Sequence, residues 1–401
     1  MNDQTRKLEA WSCYSSTPAE SLALFEAARG CPVAHSDAHE GFTMLLDYKA
    51  VRKAMSDHRR FSSEPQVLRP MLPRKPIPAL EMDPPRHGEW RAVFTAALPH
   101  GTAERMAPFI RADIREHLAR IAPLGGCEIV AELCEPVPAE TICHLIGIDR
   151  DKVPAIRRAA ILMFEAQGDP ELFATRQAAF GALTIPEVHA RRAQPRDDFL
   201  TRLADIEVEG RRLDDDDYVV LFAAFLGAGH HSTTSAMASL IWAIFSRPEL
   251  KARIMADRGL IDAAVEEALR LHPPFFGFFR RTTCPVEVNG VAIGAGEDVY
   301  MGWAAANRDP EQFAEPDRFD IDRPNLKHMS FGFGIHTCPG AALARMELRI
   351  LLEEVLDSLP DLAIDGPPPV WEFGGGDYSA IHRLAVRYTP TRLSAEIMET
   401  A

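Results

Sequence analysis

The 401-residue sequence has no apolar run long enough to cross a bilayer, so no membrane partner is expected. Its opening residues, Met1-Asn2-Asp3-Gln4-Thr5-Arg6-Lys7, are polar and lack the apolar stretch of a secretory signal. A soluble, cytoplasmic protein follows as the expectation. Basic residues are in deficit: 44 Lys and Arg stand against 58 Asp and Glu, a formal charge of −14. That balance disfavours nucleic acid or an anionic membrane surface as a partner. CxxC pairs are absent; the seven cysteines are scattered, which fits neither a zinc module nor a secreted disulfide framework. No repeat or flexible linker divides the chain. One domain over residues 1–401, acting as a monomer, is expected, with no segment left for a fused reductase or ferredoxin.

What is present is an ordinary globular balance, 46% hydrophobic and 25% charged. Short helical stretches fall at 19–29 and 48–56. Residues 70–85 hold six prolines and read as an irregular loop. Helical periodicity then dominates from 87 to about 271, interrupted at Pro99, Pro136, Pro170 and Pro195. Alternation around Asn289-Gly290 predicts a hairpin over 286–293, and a second β region is expected over 380–386. The fold class is mainly α with a small β part.

The most informative segment is Phe331-Gly332-Phe333-Gly334-Ile335-His336-Thr337-Cys338-Pro339-Gly340, a glycine-rich loop opening onto a helical pattern. A helix N-terminus offers unpaired N–H donors and a positive dipole end, which stabilise a thiolate. Glycines allow backbone to approach a flat ligand. Cys338 is therefore a candidate metal ligand; a lone cysteine without this setting would be core filling. A second segment places Gly227, Ala228, Gly229, His230, His231, Ser232, Thr233 and Thr234 inside an otherwise apolar, buried helix. Residues 214–217, all acidic, complement its N-terminal end. The hydroxyls could simply bond back to i−4 carbonyls, yet hydroxyls and histidines beside two glycines mark a site. Adjacent histidines diverge by about 100° on a helix, which disfavours joint chelation of one metal.

The cysteine loop meets every fixed position of F-x-x-G-x-x-x-C-x-G and resembles the haem-binding signature of the cytochrome P450 superfamily. The resemblance spans about residues 87–386. It implies a triangular helical prism with short sheets, haem b as cofactor, and Cys338 as the iron ligand, with Phe331, Gly332, Gly340 and Ala228 around the macrocycle. His87 and Arg91 resemble the H-x-x-x-R propionate clamp, joined by His336 and by Arg280, with Arg281 as the competing choice. Glu267 and Arg270 match E-x-x-R, and Arg318 is expected to complete a buried Glu–Arg–Arg network. On the distal helix, Ala228-Gly229-His230 aligns with A-G-x, so His231 stands at the acidic position and Ser232 at the threonine, with Thr233 beside them. Serine can take the alcohol's part and histidine can relay protons near neutral pH, but no fixed negative charge remains. The substrate cavity is expected among Ala224, Gly227, Phe276, Phe278, Phe279 and Ile381, with Phe275 and Tyr378 nearby.

By the same resemblance the chain is a monooxygenase acting on a small hydrophobic substrate. Electrons from NAD(P)H would arrive through a separate ferredoxin and reductase, the ferredoxin docking on the proximal face near Arg91, Lys327, His328, Arg345 and Arg349. The alternatives are a peroxide-driven or non-hydroxylating haem-thiolate enzyme, and a haem protein that binds ligands without turnover.

Overall fold

The computed structural model describes residues 8, 10–13, 15–31, 33–72, 74–374 and 378–393; the opening segment 1–7 lies outside them. Helices dominate. In chain order they are α1 (Pro18–Ala27), α2 (Tyr48–Ser56), α3 (Arg86–Ala97), α4 (Thr102–Ile121), α5 (Pro136–Ile146), α6 (Val153–Glu165) and α7 (Pro170–Ala193). There follow α8 (Phe199–Ala204), α9 (Asp215–Leu226), α10 (Ser232–Phe245), α11 (Pro248–Ala256), α12 (Ile261–Leu271), α13 (Trp303–Ala306) and α14 (Ala341–Ser358). Among the described residues of the stretch 70–85 there is neither helix nor strand, as its prolines require.

The start of α9 shows how local sequence sets an element. Asp214 caps it, accepting from the Asp217 N–H while the Asp217 side chain bonds back to the Asp214 N–H. Between α9 and α10 the helix widens into a π-turn over Gly227–His231. Side chains from two neighbouring helices press on this turn. A Cβ on Gly227 would lie 2.5 Å from the Phe164 ring of α6, and one on Gly229 2.8 Å from Ile142 of α5. Glycine is needed there for close approach, and π-turns of this kind gather at functional sites.

The β part is small. A five-stranded sheet takes in Ala34–Ser36, Phe42–Leu45, Phe61–Ser62, Gly277–Thr282 and Asp298–Gly302, the last two antiparallel with Arg280 opposite Val299. The hairpin expected at 286–293 forms between Val286–Val288 and Val291–Ile293. The late β region is two strands in different sheets, Ser379–Ile381 and Ala385–Arg387.

One apolar core gathers around α4, α10, α12 and α14, including Ile110, Ile114, Leu240, Leu351 and Val355. A second gathers helices α5 to α9. The cysteine helix α14 is also tied to α4 by ion pairs, Arg115 to Glu354 at 2.7 Å and Arg111 to Glu353 at 2.6 Å.

Beneath the cysteine loop lies a buried charge network. Glu267 and Arg270 are both fully buried and pair through two bonds of 2.7 Å. Their partner is not Arg318. Arg323 donates to Glu267 Oε1 at 3.0 Å from a side chain 5% exposed. The Arg318 side chain is 58% exposed and pairs with Glu315 and Asp320. Only its carbonyl enters the network, accepting from Arg323 Nη2 at 2.7 Å and Arg270 Nη2 at 3.3 Å. The turn after Pro316 sends one arginine outward and the next inward. Glu267 also accepts from the Asp320 N–H at 2.9 Å, and Arg270 donates to the Asn307 and Pro316 carbonyls. A buried ion pair needs such supplementary bonds to offset its desolvation.

Candidate functional site

Cys338 stands two residues before Gly340, the N-cap of α14, its amide bonded to the Phe331 carbonyl at 2.8 Å. Burial pushes the thiol pKa up. The N–H groups of Gly340 and Ala341 and the charges of Arg91 and Arg345 oppose that and favour the thiolate. The loop glycines serve a purpose other than the expected one. Gly334 has φ 71°, and a Cβ there would meet the Met55 carbonyl at 2.6 Å; Gly332 has φ 69°. They bend the loop against α2. Gly332 does not line the cavity, whereas Gly340 does.

The sulfur faces a cavity enclosed between α14 and the α9–α10 segment, of which about 330 Å³ is open to the centre of a water molecule. Arg91, Arg280, Phe331, His336, Ala344 and Glu347 line it with Cys338. Ala224, Gly227, Ala228, His231, Ser232 and Thr233 line it from the other side. Phe278 joins them, because alternation along Gly277–Thr282 puts Phe278 and Arg280 on one face. The same alternation sends Phe279 to the opposite face, against Phe42 at 4.9 Å and Tyr300 at 5.2 Å. Phe276 packs on Phe373 at 5.0 Å, and Ile381 joins the core around α10 and α14. Phe276, Phe279 and Ile381 are therefore core residues, and their places are taken by Phe275, Tyr378, Phe94, Phe164 and Phe173. The helical phenylalanines carry no sequence signal that sets them apart from core filling.

At one end of the cavity the charge is positive. Arg280 is 4% exposed. Among the described residues neither Arg280 nor Arg91 forms an ion pair; they donate to the Phe279 carbonyl at 2.9 Å and the Thr337 carbonyl at 2.7 Å. Burial lowers the Arg280 pKa to about 10. His336 is pushed down to about 2 by burial first, then by Arg280, His87 and Arg91. Its Nε2 meets Ser63 Oγ at 2.8 Å, while its Nδ1 has no partner. His87 does not line the cavity; its ring packs edge-on against His336 at 4.7 Å, and its Nε2 is also unpartnered. A buried and a half-buried guanidinium, each bonded to a backbone carbonyl rather than a carboxylate, form a receptor for anions. A flat ligand bearing two carboxylates and an iron atom fits this donor set: thiolate beneath, cations at the rim, apolar walls elsewhere.

The opposite wall is different. Ser232 Oγ donates to the Ala228 carbonyl, the i−4 bond available to any helical hydroxyl. His231 lies between the rings of Phe164 (4.8 Å) and Tyr378 (5.9 Å), and its carbonyl accepts from the Tyr378 hydroxyl at 2.7 Å. Burial, and secondarily the charge of His382, lowers the His231 pKa to about 4. It is a neutral imidazole at pH 7, not the near-neutral titrating group expected, and its Nδ1 has no partner. His230 points away, its Nε2 3.0 Å from the Glu135 carbonyl. Thr233 is buried in the same wall. One further acid was not anticipated: Glu347 of α14 lines the cavity with Oε1 unpartnered, and burial holds its carboxyl well above the usual range.

A family model described as Cytochrome P450 matches residues 183–359. Cyclomarin C epoxidase CymV of Salinispora arenicola is 34% identical over 81% of this chain and 85% of its own length. The cytochrome P450 monooxygenase PikC of Streptomyces venezuelae is 35% identical over 72% of this chain and 70% of its own. Among solved structures, CYP108D1 from Novosphingobium aromaticivorans superimposes with a TM-score of 0.84 at 27% identity, covering 97% of this chain and 98% of that one. A mutant of P450 EryK in complex with erythromycin B gives 0.82 at 30% identity, covering 94% and 98%.

Proposed function

Starting from the fact that this chain belongs to the cytochrome P450 family and is a haem-dependent monooxygenase, we propose that it inserts one oxygen atom of dioxygen into a small hydrophobic molecule held above Cys338. The observation that carries this reading is a single cavity with Cys338 on one wall, buried Arg280 and half-buried Arg91 at its rim without ion-pair partners among the described residues, and aromatic rings opposite. Bound there, haem supplies an iron that activates dioxygen, its thiolate ligand favouring O–O cleavage. Cys338 would hold the iron, its charge steadied by the Gly340 and Ala341 N–H groups. Arg91 and Arg280 would neutralise the propionates and the neutral His336 would offer a hydrogen bond from its unpartnered Nδ1, with His87 supporting His336. Phe164, Phe275, Phe278 and Tyr378 would orient the substrate and exclude water. Hydroxylation and epoxidation are both within this chemistry, and similar proteins are named for each: CymV as an epoxidase, and another relative, 34% identical, as the erythromycin C-12 hydroxylase.

The electrons come, in this reading, from NAD(P)H through a separate reductase and ferredoxin docking near the cysteine loop. Of the cations first expected there, Arg345 is held by Glu266 at 2.6 Å and Arg349 by Glu353 at 3.0 Å, and His328 is buried. Arg91 faces the cavity. The docking charge falls instead to exposed Lys327 and to Arg52, whose guanidinium lies 4.8 Å over the Phe333 ring of the loop. Among the described residues no helix is long and apolar enough to cross a membrane, and all seven cysteines are free. In this reading the enzyme is a single-domain monomer that works in the cytoplasm.

The distal wall favours a second course. With His231 neutral and Ser232 bonded back to its own helix, no fixed anion stands where an acid–alcohol pair would. A peroxide-driven or non-hydroxylating reaction would suit that wall. Incubation with a ferredoxin, its reductase and NADPH separates the two: steady NADPH consumption matched by oxidised product is expected. Product formed with hydrogen peroxide alone, and none with the redox pair, would establish the second course instead.

A further inference from the structure

Away from the cavity, α4 and α5 bring together three side chains of metal-ligating type. Asp113 and His117 stand one turn apart on the same face of α4, and Glu140 faces them from α5. One ligand atom from each lies within 4.8 Å of the other two. His117 Nε2 is 3.4 Å from Glu140 Oε1. Asp113 is only 3% exposed, so two carboxylates converge where water scarcely reaches. Like charges this close are tolerated only with a proton or a cation between them.

The hydrogen bonds show which atoms are already engaged. Arg150 Nη2 donates to Asp113 Oδ1 and to Glu140 Oε2, each at 3.0 Å, while its Nη1 lies 2.9 Å from Glu116 Oε2. What remains is Asp113 Oδ2, buried and without a hydrogen-bond partner, and buried His117 Nε2, whose approach to Glu140 Oε1 at 3.4 Å does not form a hydrogen bond. Without a cation the Asp113–Glu140 pair holds one proton, since burial first and Glu140 next raise the Asp113 pKa to about 9; a divalent ion would displace that proton. We propose that Asp113, His117 and Glu140 bind a divalent cation of the zinc type. One imidazole nitrogen and two carboxylate oxygens, completed by water, form a set such an ion takes tetrahedrally. Arg150 then holds both carboxylates from behind, as outer partners orient metal ligands. His117 Nδ1 now sits 3.3 Å from Arg120 Nη2. Ligation through Nε2 places the ring proton on Nδ1, so Arg120 must swing off; it is half-exposed and keeps Glu132 as its partner. None of the three ligands lines the haem cavity. The ion is structural: it clamps α5 to α4, the helix whose Arg111 and Arg115 grip α14.

The test uses the haem-loaded enzyme without an affinity tag, dialysed against chelator and titrated with zinc chloride by calorimetry. One ion per chain is expected, bound in or below the micromolar range, with a zinc-dependent rise in melting temperature. His117→Ala and the near-isosteric Glu140→Gln should each weaken this binding by roughly 10-fold or more. An unchanged Soret band in both variants shows that the cavity is intact. Absence of saturable 1:1 binding, or binding undiminished in both folded variants, would overturn the proposal. These readouts do not depend on turnover, so they are independent of the monooxygenase reading.

Discussion

On the proximal side of the cavity, backbone N–H groups and arginines surround Cys338, and Glu267 is bonded within a separate buried charge network by Arg270 and the Asp320 N–H. On the distal side, His231 is neutral with an unpartnered Nδ1, Ser232 is turned back on its helix, and glycines yield to the Phe164 ring and to Ile142. The first wall concentrates charge and fixes it. The second removes fixed charge and leaves space. Holding an anionic ligand and its counter-ions demands the first arrangement, whereas the shape and proton path presented to a substrate are set by the second.

The contrast breaks most completely at the sulfur. Cys338→Ala should abolish turnover, a loss of at least about 10⁴-fold, since thiolate ligation is what the oxygen chemistry requires; product assays on the haem-loaded variant measure it. Next comes the supporting network. Arg323→Ala leaves Glu267 short of a buried partner and should cost about 3–5 kcal/mol in urea unfolding. Arg318→Ala, on the exposed side of the same turn, should leave the unfolding midpoint almost unchanged, because exposed ion pairs contribute little. Equal losses for the two would contradict the assignment of Arg323.

The distal wall should respond differently. His231→Asp restores a carboxylate and should raise product formed per NADPH several-fold, by analogy with the gains of a placed proton-transfer group, while the haem spectrum stays unchanged. His231 also makes stability depend on pH. Its folded pKa, about 4, lies below the ordinary 6.5. The unfolded chain therefore binds a proton that the folded one refuses, and stability is full above pH 6.5 and falls through the interval down to about 4. Between pH 7.5 and 5 this group should cost about 2 kcal/mol, a loss absent in His231→Phe when the two are unfolded side by side. The smallest effect is Tyr378→Phe, which removes one bond to the His231 carbonyl and should cost about 1 kcal/mol, with a shifted affinity for apolar ligands.

Much of the proximal wall was legible in the sequence because it is written in fixed spacings. The cysteine loop, Glu267 with Arg270, and helix α2 at Tyr48–Ser56 all follow from neighbours a few residues apart. The errors came where a face or a turn had to be chosen. Phe276, Phe278 and Phe279 look alike in sequence; the strand phase beginning at Gly277 separates them, and pairing of that phase with Arg280 was the available clue. Arg318 and Arg323 flank an irregular turn that no periodicity describes. Phe164 and Glu347 reach the cavity from helices whose relative packing is decided by contacts far apart in the chain.

The central claim is that Cys338 presents a thiolate to haem iron. A carbon monoxide difference spectrum of the reduced, haem-loaded wild-type enzyme tests it most directly. A Soret band at about 450 nm is expected of thiolate ligation, lost in Cys338→Ala. A folded, haem-loaded wild type whose band lies elsewhere would contradict it.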